Sequence, residues 1–528
     1  MKQEDLRYTL GGFLAGAAVM VIEMAGARLL SVWFGNSLLT WSALIGLVLV
    51  ALSLGSWIGG YWIDRAPQTK TLSKIFFSAS FYTLLIPFLR NTFQDFFLNA
   101  HIFWGPFGAS LLLFVVPSLC LGMITPMMIK LLTLSRSEKG SGHLGGAAGL
   151  LGMWGTLGSV AGTFSTSFFL IPHFSLTQIY LGTGLCLSLL GFIFLKKEDH
   201  FSRRSLVGLF FLGISSLSLG AYYGGEQQDP RVIFEKQTFY HRIQIQEMRQ
   251  SESQYQRYLI LDTTLEGGRH FMGADDPKRD PLILSYTKYW KLVDLYLSQH
   301  LSQQSLEGIF LGGGAFGMPM EVCQHHPQSS IKVFELDPEV IVVARRYLGL
   351  KEDTCLQTFA GDGRRLLRTM DLPPQDFIFG DAYHGIRSVP SHMVTKEFFQ
   401  LVHQQLKNDG IYLMNIISAV KGKKSLFFHS IVKTLKSVFA QVDVYLVEKN
   451  HPSEVQNIIL VALKSGHDKE SPQQRFDNNR DLLYEMDLES LIDHYSANAA
   501  LNSDDQSKIF TDDDNSSEYI LVKGLWGE

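Results

Sequence analysis

A change of texture near residue 225 constrains this chain more than any motif in it. Up to about Tyr223 the sequence is a series of apolar stretches with few charges, and beyond Glu226 charged and apolar residues mix as they do in a water-soluble domain. A helix needs about 20 mostly apolar residues to cross the hydrocarbon core of a bilayer, where backbone polar groups must be satisfied internally. The first half is therefore expected to be an α-helical transmembrane bundle, with the lipid bilayer as its partner, and the second half a separate folded domain. At 528 residues the chain is in any case too long for a single core.

Seven stretches meet the length requirement, near 8–33, 39–62, 74–90, 103–132, 145–172, 177–195 and 205–223, and the third is the weakest. The fourth contains Pro117 and Pro126, which makes a split or re-entrant helix one reading of it. The fifth carries glycines at 145, 146, 149, 152, 155, 158 and 162, which line small residues along a face, so this helix is expected inside the bundle. The first stretch lacks a small-residue cleavage pattern and others follow it, so it reads as a span and not as a removed signal. Lys and Arg residues from Lys2 to Arg204 gather on the face shared with the N-terminus, against Arg90 alone in the opposite loops, which makes the N-terminus cytoplasmic, as in a bacterial inner membrane. Seven crossings would leave the second half outside, whereas the ligand inferred below is made inside; ligand supply favours the cytoplasm. Glu23 and Arg28 lie within the first span, where a structural ion pair or an Arg reaching the interface is the plainer reading and a polar pathway the sharper one. GSWIGGYWIDR (Gly55 to Arg65) is weakly similar to the Gly-rich, Asp-Arg-ended loop after the second helix of major facilitator transporters.

The formal net charge of -4, with no concentrated basic stripe, excludes nucleic acid as a partner. Cys120, Cys186, Cys323 and Cys355 are scattered without metal-ligand spacing, so buried free thiols and no metal are expected.

In the second half, VIFEKQTFYHRIQIQEM and YLILDTTLEGG alternate as strands do and form a small β-sheet module. From Leu306 strands alternate with helices, which implies a parallel sheet covered on both faces, an α/β Rossmann-like domain. GGGAFG (Gly312 to Gly317) follows the strand IFL and offers Gly312, Gly313, Gly314 and Ala315 to a nucleoside that must approach the backbone. A glycine turn alone is a weak signal. Its weight comes from Glu335, about twenty residues on at the end of the next strand, where a carboxylate can accept both ribose hydroxyls. Asp362, followed by Gly363, closes a further strand and is suited to an adenine amino group. The bland alternative, that Glu335 and Asp362 only cap helices, is less economical for the set together.

LGGGAFGMPMEV, FELDPEVIVVARRYL, GDGRRLL and FGDAYHG, in this order and spacing, resemble the spermidine synthase (aminopropyltransferase) family over about residues 235–465. Upstream, QTFYHRIQI, LILDTTLE and SYTKYW resemble that family's first strands and connecting helix, and the apolar half with a late TDD (Thr511 to Asp513) is similar to its membrane-fused branch. The resemblance implies a class I methyltransferase-type fold and a small-molecule S-adenosyl sulfonium nucleoside as substrate, with no further cofactor. The carbon–sulfur bond is cleaved and methylthioadenosine leaves. Asp381 matches the family's catalytic carboxylate, with Tyr240 and Tyr286 beside it; Glu266, which ends LILDTTLE, joins the nucleoside-binding set, and His241, Tyr383 and His384 fall on the substrate side. The soluble relatives commonly dimerise through the β-module, so a homodimer is compatible with the resemblance.

Departures from the family pattern shape the functional expectation. The family's turn reads GGGDG, with the Asp holding the donor's free amine; Ala315 stands there. His384 replaces a second acidic residue, Tyr286-Thr287 a Tyr-His pair, and His241 a Gln. With these carboxylates missing, undecarboxylated S-adenosylmethionine should be easier to accommodate, and its own carboxylate could displace methylthioadenosine, the reaction of a lyase forming a homoserine lactone. Aminopropyl transfer to putrescine or another amine is the alternative, and a nucleoside-sensing transporter or binding module the second. The expected organisation is 1–225 transmembrane helices, 226–300 β-module and connecting helix, 301–465 Rossmann-like catalytic domain, and 466–528 a polar extension for which a lid is one hypothesis.

Overall fold

A computed structural model of the chain describes residues 3–34, 38–98, 104–137, 143–195, 229–249, 251, 254–271, 281–297, 305–351, 354–383, 389–448, 450–465, 472–478, 507–514, 516–517 and 520–521. The chain divides into two compact units, Met1–Pro230 and Arg231–Glu528.

Among the described residues of the first unit six helices are long and apolar enough to cross a membrane: Asp5–Phe34, Leu38–Arg65, Thr69–Phe97, Val115–Ser137, Leu144–His173 and Leu176–Ile193. The seventh expected span, 205–223, lies outside the described residues. The fourth stretch is split into Trp104–Leu113 and Val115–Ser137. Pro117 explains the break, because it has no N–H to give the carbonyl of Leu113. The third helix is not the weakest of the described spans, since the glycine-rich fifth is less apolar, and its polar side chains bind it to the last one. Ser73 Oγ donates to Gly191 O (2.7 Å), Ser80 Oγ to Gly184 O (2.7 Å), and Ser80 Oγ lies 2.6 Å from Ser188 Oγ.

The fifth helix corrects the expectation of a central position. One face packs closely on the first helix, where a Cβ at Gly158 or Gly162 would strike the backbone of Phe13 or Ala17. Gly145, Gly149 and Gly152 meet nothing within 4 Å among the described residues, and this helix is the least buried of the six candidate spans. Glycine on several faces thus serves one close contact. The Gly55–Arg65 stretch is also helical and not a loop, with Gly55 and Gly59 lying against the backbone of Leu119 and Met123. Glu23 and Arg28 form no ion pair with each other; Arg28 Nη1 donates to Ser31 Oγ at 3.4 Å.

The second unit opens with an antiparallel four-stranded sheet in the order β1 (Val232–Gln237), β2 (Arg242–Arg249), β3 (Tyr255–Leu261), β4 (Thr264–Phe271). Asp262 turns β3 into β4 with a left-handed backbone (φ 57°). A seven-stranded sheet follows in the order β10-β11-β9-β8-β5-β6-β7, formed by β5 (Glu307–Leu311), β6 (Ser330–Glu335), β7 (Leu356–Ala360), β8 (Gln375–Gly380), β9 (Leu406–Ser418), β10 (Gln441–Leu446) and β11 (Gln456–Leu463). The five strands β5 to β9 pair in parallel, and β11 and β10 add antiparallel at one edge. Buried apolar side chains cover both faces, which is why these strands read as near-continuous apolar runs. From β5 the chain winds first toward β6 and β7 and then back to β8, so the topological switch point lies between β5 and β8. That is where doubly wound sheets hold ligands.

The expectation of four free thiols fails for two of them. Cys323 and Cys355 form a disulfide across 32 residues, while Cys120 and Cys186 are free. It ties the end of helix Gly317–His325 to the start of β7. Cross-linking a loop of this length stabilises by about 3 kcal/mol through the unfolded chain. Reduction of the detergent-solubilised protein is expected to lower the unfolding temperature of this domain by about 5–12 °C, and a Cys323→Ser variant that unfolds at the same temperature with and without reductant checks the assignment.

Candidate active site

The strand ends at the switch point deliver the side chains. β5 ends at Leu311, and the chain must turn at once into helix Gly317–His325 past the end of β8. Gly312 has φ 99°, and a Cβ there would strike the backbone of Asp381. Gly314 is also left-handed, with φ 47°. The turn therefore requires glycine for its conformation and for its contact with the β8 end.

Glu335, last residue of β6, is 7% exposed. Its Oε2 accepts from Gly313 N (2.8 Å) and its Oε1 from Asp337 N (3.0 Å). Burial raises its pKa against those two hydrogen bonds. Asp337, not Glu335, caps the next helix, accepting from Glu339 N at 3.0 Å. Asp362 does cap a helix, its Oδ1 accepting from Arg365 N (2.8 Å), and its Oδ2 lies 2.8 Å from His392 Nε2. Its partial burial would raise its pKa, but the Arg365 N–H and His392 outweigh this and hold it low. Capping and a place in the cavity wall are compatible here.

Asp381 follows β8. Its Oδ1 accepts from Asn415 Nδ2 (2.8 Å) and its Oδ2 from Tyr286 OH (3.2 Å). Burial pushes its pKa up to about 6, against those two hydrogen bonds. Tyr383 OH donates to Asn415 O at 2.9 Å. Burial, with Asp381 and Glu266 nearby, raises both tyrosines well above their ordinary range, so each phenol keeps its proton. Asn415 is in turn held by Asn457 Nδ2 (3.1 Å) on β11.

These residues line two adjoining compartments. One is bounded by His241, Glu266, Gly312, Gly314, Glu335, Asp362, Gly363, Asp381, Tyr383 and His392, so that carboxylates and bare backbone face the same opening. The smaller lies between Glu266, Tyr286, Gly313, Ala315 and Asp381. Glu266 and Asp381 border both. His241 reaches the wall because Asp262 Oδ2 lies 3.2 Å from its Nδ1. Tyr240, next to it, lines neither compartment and is 42% exposed. His384 lies outside the described residues.

Asn415 and His392 were not anticipated. Asn415 had a signal, a lone amide in the apolar strand IYLMNI, whereas His392 sits in a loop without one. The late TDD packs on the domain: Asp512 Oδ1 accepts from Arg364 Nη1 (2.7 Å) and Thr395 Oγ1 (2.7 Å), beside the Asp362 cap.

Comparison with known proteins gives a match of residues 297–473 to the spermine/spermidine synthase domain. The chain is similar to polyamine aminopropyltransferase 2 of Aquifex aeolicus, 24% identical over 437 residues, covering 80% of this chain and 81% of that protein. It is 26% identical over 288 residues to the polyamine aminopropyltransferase of Vibrio vulnificus, covering 53% and 88%. A solved structure, a probable spermidine synthase from Corynebacterium glutamicum, aligns with a TM-score of 0.39 at 20% identity over 48% of this chain and 86% of that one. The C-terminal half of this chain therefore contains a spermine/spermidine synthase domain, preceded by a unit in which six apolar helices are found among the described residues.

Proposed function

We propose that this protein is a membrane-anchored aminopropyltransferase that moves the three-carbon amine of decarboxylated S-adenosylmethionine to a second amine and releases methylthioadenosine. The observation that carries the reading is the half-buried Asp381, held by Asn415 and Tyr286 at the point where the two compartments meet. The amine nitrogen lone pair forms the new carbon–nitrogen bond as the carbon–sulfur bond breaks. The bonding pair stays on sulfur, which becomes a neutral thioether. Asp381 takes the proton that the amine must lose and passes it to solvent. Because a cation turns into a neutral leaving group, orientation and exclusion of water supply most of the rate.

The similar proteins are aminopropyltransferases by name, which supports this reading over the lyase expected from the sequence. Ala315, with His384, Thr287 and His241 in place of the family's residues, is what favoured a lyase. Product analysis separates the two. The full-length protein is given decarboxylated or intact S-adenosylmethionine, each with and without putrescine, and the adenosine product and alkyl fragment are weighed. Methylthioadenosine is expected only from the decarboxylated donor plus an amine; its release from intact donor alone, with a homoserine-type fragment, would establish the lyase instead.

A further inference from the structure

Position 315 is occupied by alanine, yet the inner compartment beside it does not lack a carboxylate. Gly267 on β4 lies directly against the glycine turn: with φ 155° it bears no side chain, and a Cβ there would come within 2.9 Å of the Ala315 Cβ. A Cβ at Gly314 would likewise lie 3.3 Å from the carbonyl oxygen of Glu266. β4 therefore sets residues 266 and 267 against the glycine turn, and Glu266 borders both compartments, with Ala315 and Tyr286 on one side and Glu335 on the other.

Burial, together with the charges of Asp381, Glu335 and Asp262, holds the Glu266 carboxyl well above its ordinary range. Among the described residues no lysine or arginine pairs with it. A half-buried carboxyl with three others near it is a poor structural element and a strong receptor for a cation.

We infer that Glu266 is the donor-specificity residue of this site, holding from β4 the primary ammonium of the three-carbon chain in place of a carboxylate at position 315. The inference rests on the reading of the cavity as an adenosyl-sulfonium site and adds to it the residue that selects the decarboxylated donor. A decarboxylated donor brings two positive charges, sulfonium and ammonium, to a wall carrying Glu266 and Asp381. Intact S-adenosylmethionine would bring a carboxylate to the same wall, where it meets the Asp381 carboxylate and cannot draw the proton from Glu266 as an ammonium does. The loss of one acidic residue at 315 therefore does not open the site to the undecarboxylated donor.

The test measures binding of three ligands to the full-length protein and to Glu266→Gln and Glu266→Gln/Ala315→Asp variants: decarboxylated S-adenosylmethionine, intact S-adenosylmethionine and methylthioadenosine. Glu266→Gln is expected to weaken the decarboxylated donor by about 10- to 100-fold, the weight of one charge-assisted hydrogen bond. Methylthioadenosine, which has no ammonium, should bind unchanged, and the added Ala315→Asp should restore preference for the decarboxylated donor. Equal loss of all three ligands in Glu266→Gln, or full retention of the decarboxylated donor, overturns the assignment while leaving the nucleoside site intact. Failure of the unaltered protein to bind methylthioadenosine or either donor overturns the functional reading and this inference with it.

Discussion

Asp381→Asn is expected to lower turnover by about 10²- to 10⁴-fold and, in the ligand-free protein at neutral pH, to raise thermal stability. The first effect follows from removing the base that accepts the amine proton. The second follows from burial. The carboxyl of Asp381 moves from its ordinary 3.8 to about 6 in the folded protein. A raised carboxyl contributes stability only while it is protonated, and that contribution is lost as the pH rises through the folded value. At pH 7 the ionised group is a burden of up to about 3 kcal/mol that asparagine does not carry. Asparagine can still accept from Asn415 Nδ2, and its own amide can donate to the Tyr286 oxygen, but the phenol proton then loses the acceptor it has in Asp381, which offsets part of the gain.

The pH window separates these effects. Below about 4 the variant should have no stability advantage; the advantage should grow through the interval and be complete above about 6. Donor affinity of the unaltered protein should run the other way, weakening as the pH falls through 6, because the cation is held by the ionised form. Melting curves across this range, with and without the substitution, check the first statement, and donor titrations check the second. A variant that keeps its turnover removes Asp381 from the reaction, and a stability difference independent of pH means that burial is not its origin.

Much of this site was legible because its chemistry sits at strand ends. Gly312, Glu335, Asp362 and Asp381 each follow an apolar run, and a parallel sheet brings such ends to one edge whatever the details of packing. The covering of both faces was readable for the same reason, in the apolar strands themselves. What stayed hidden depended on contacts between elements distant in sequence. The Cys323–Cys355 bond has no local pattern, only the adjacency of a helix end and an edge strand. The Glu266 position could not be weighed until β4 was seen against the glycine turn, since its significance lies in what Ala315 lacks. The glycine-rich helix misled because spacing shows where close contact is allowed, and here one face uses it while others do not. Tyr240 and His241 are neighbours in a turn after β1, and only the one tied to Asp262 reaches the cavity.

Glu335→Gln should weaken every adenosyl ligand together, by about 10²- to 10³-fold, and so behave differently from Glu266→Gln. Two backbone N–H groups, of Gly313 and Asp337, fix the carboxylate at the end of β6. The remaining lone pairs are left for a ribose diol, and two hydrogen bonds to a charged acceptor are worth about 1.5–3 kcal/mol each. A glutamine in this place has one oxygen and one amide nitrogen, so one of the two N–H groups would face a donor, and the side chain would have to give up either that backbone contact or a ribose hydroxyl. The loss should be the same for methylthioadenosine as for either donor, because all three share the ribose. A 2′-deoxy analogue of methylthioadenosine makes the comparison internal to the ligand. It should bind the unaltered protein more weakly than the parent nucleoside, and the substitution should cost it less affinity, since part of the interaction is already gone. If the deoxy analogue binds as well as the parent, or the two losses simply add, then Glu335 serves only to brace the glycine turn and the ribose is held elsewhere.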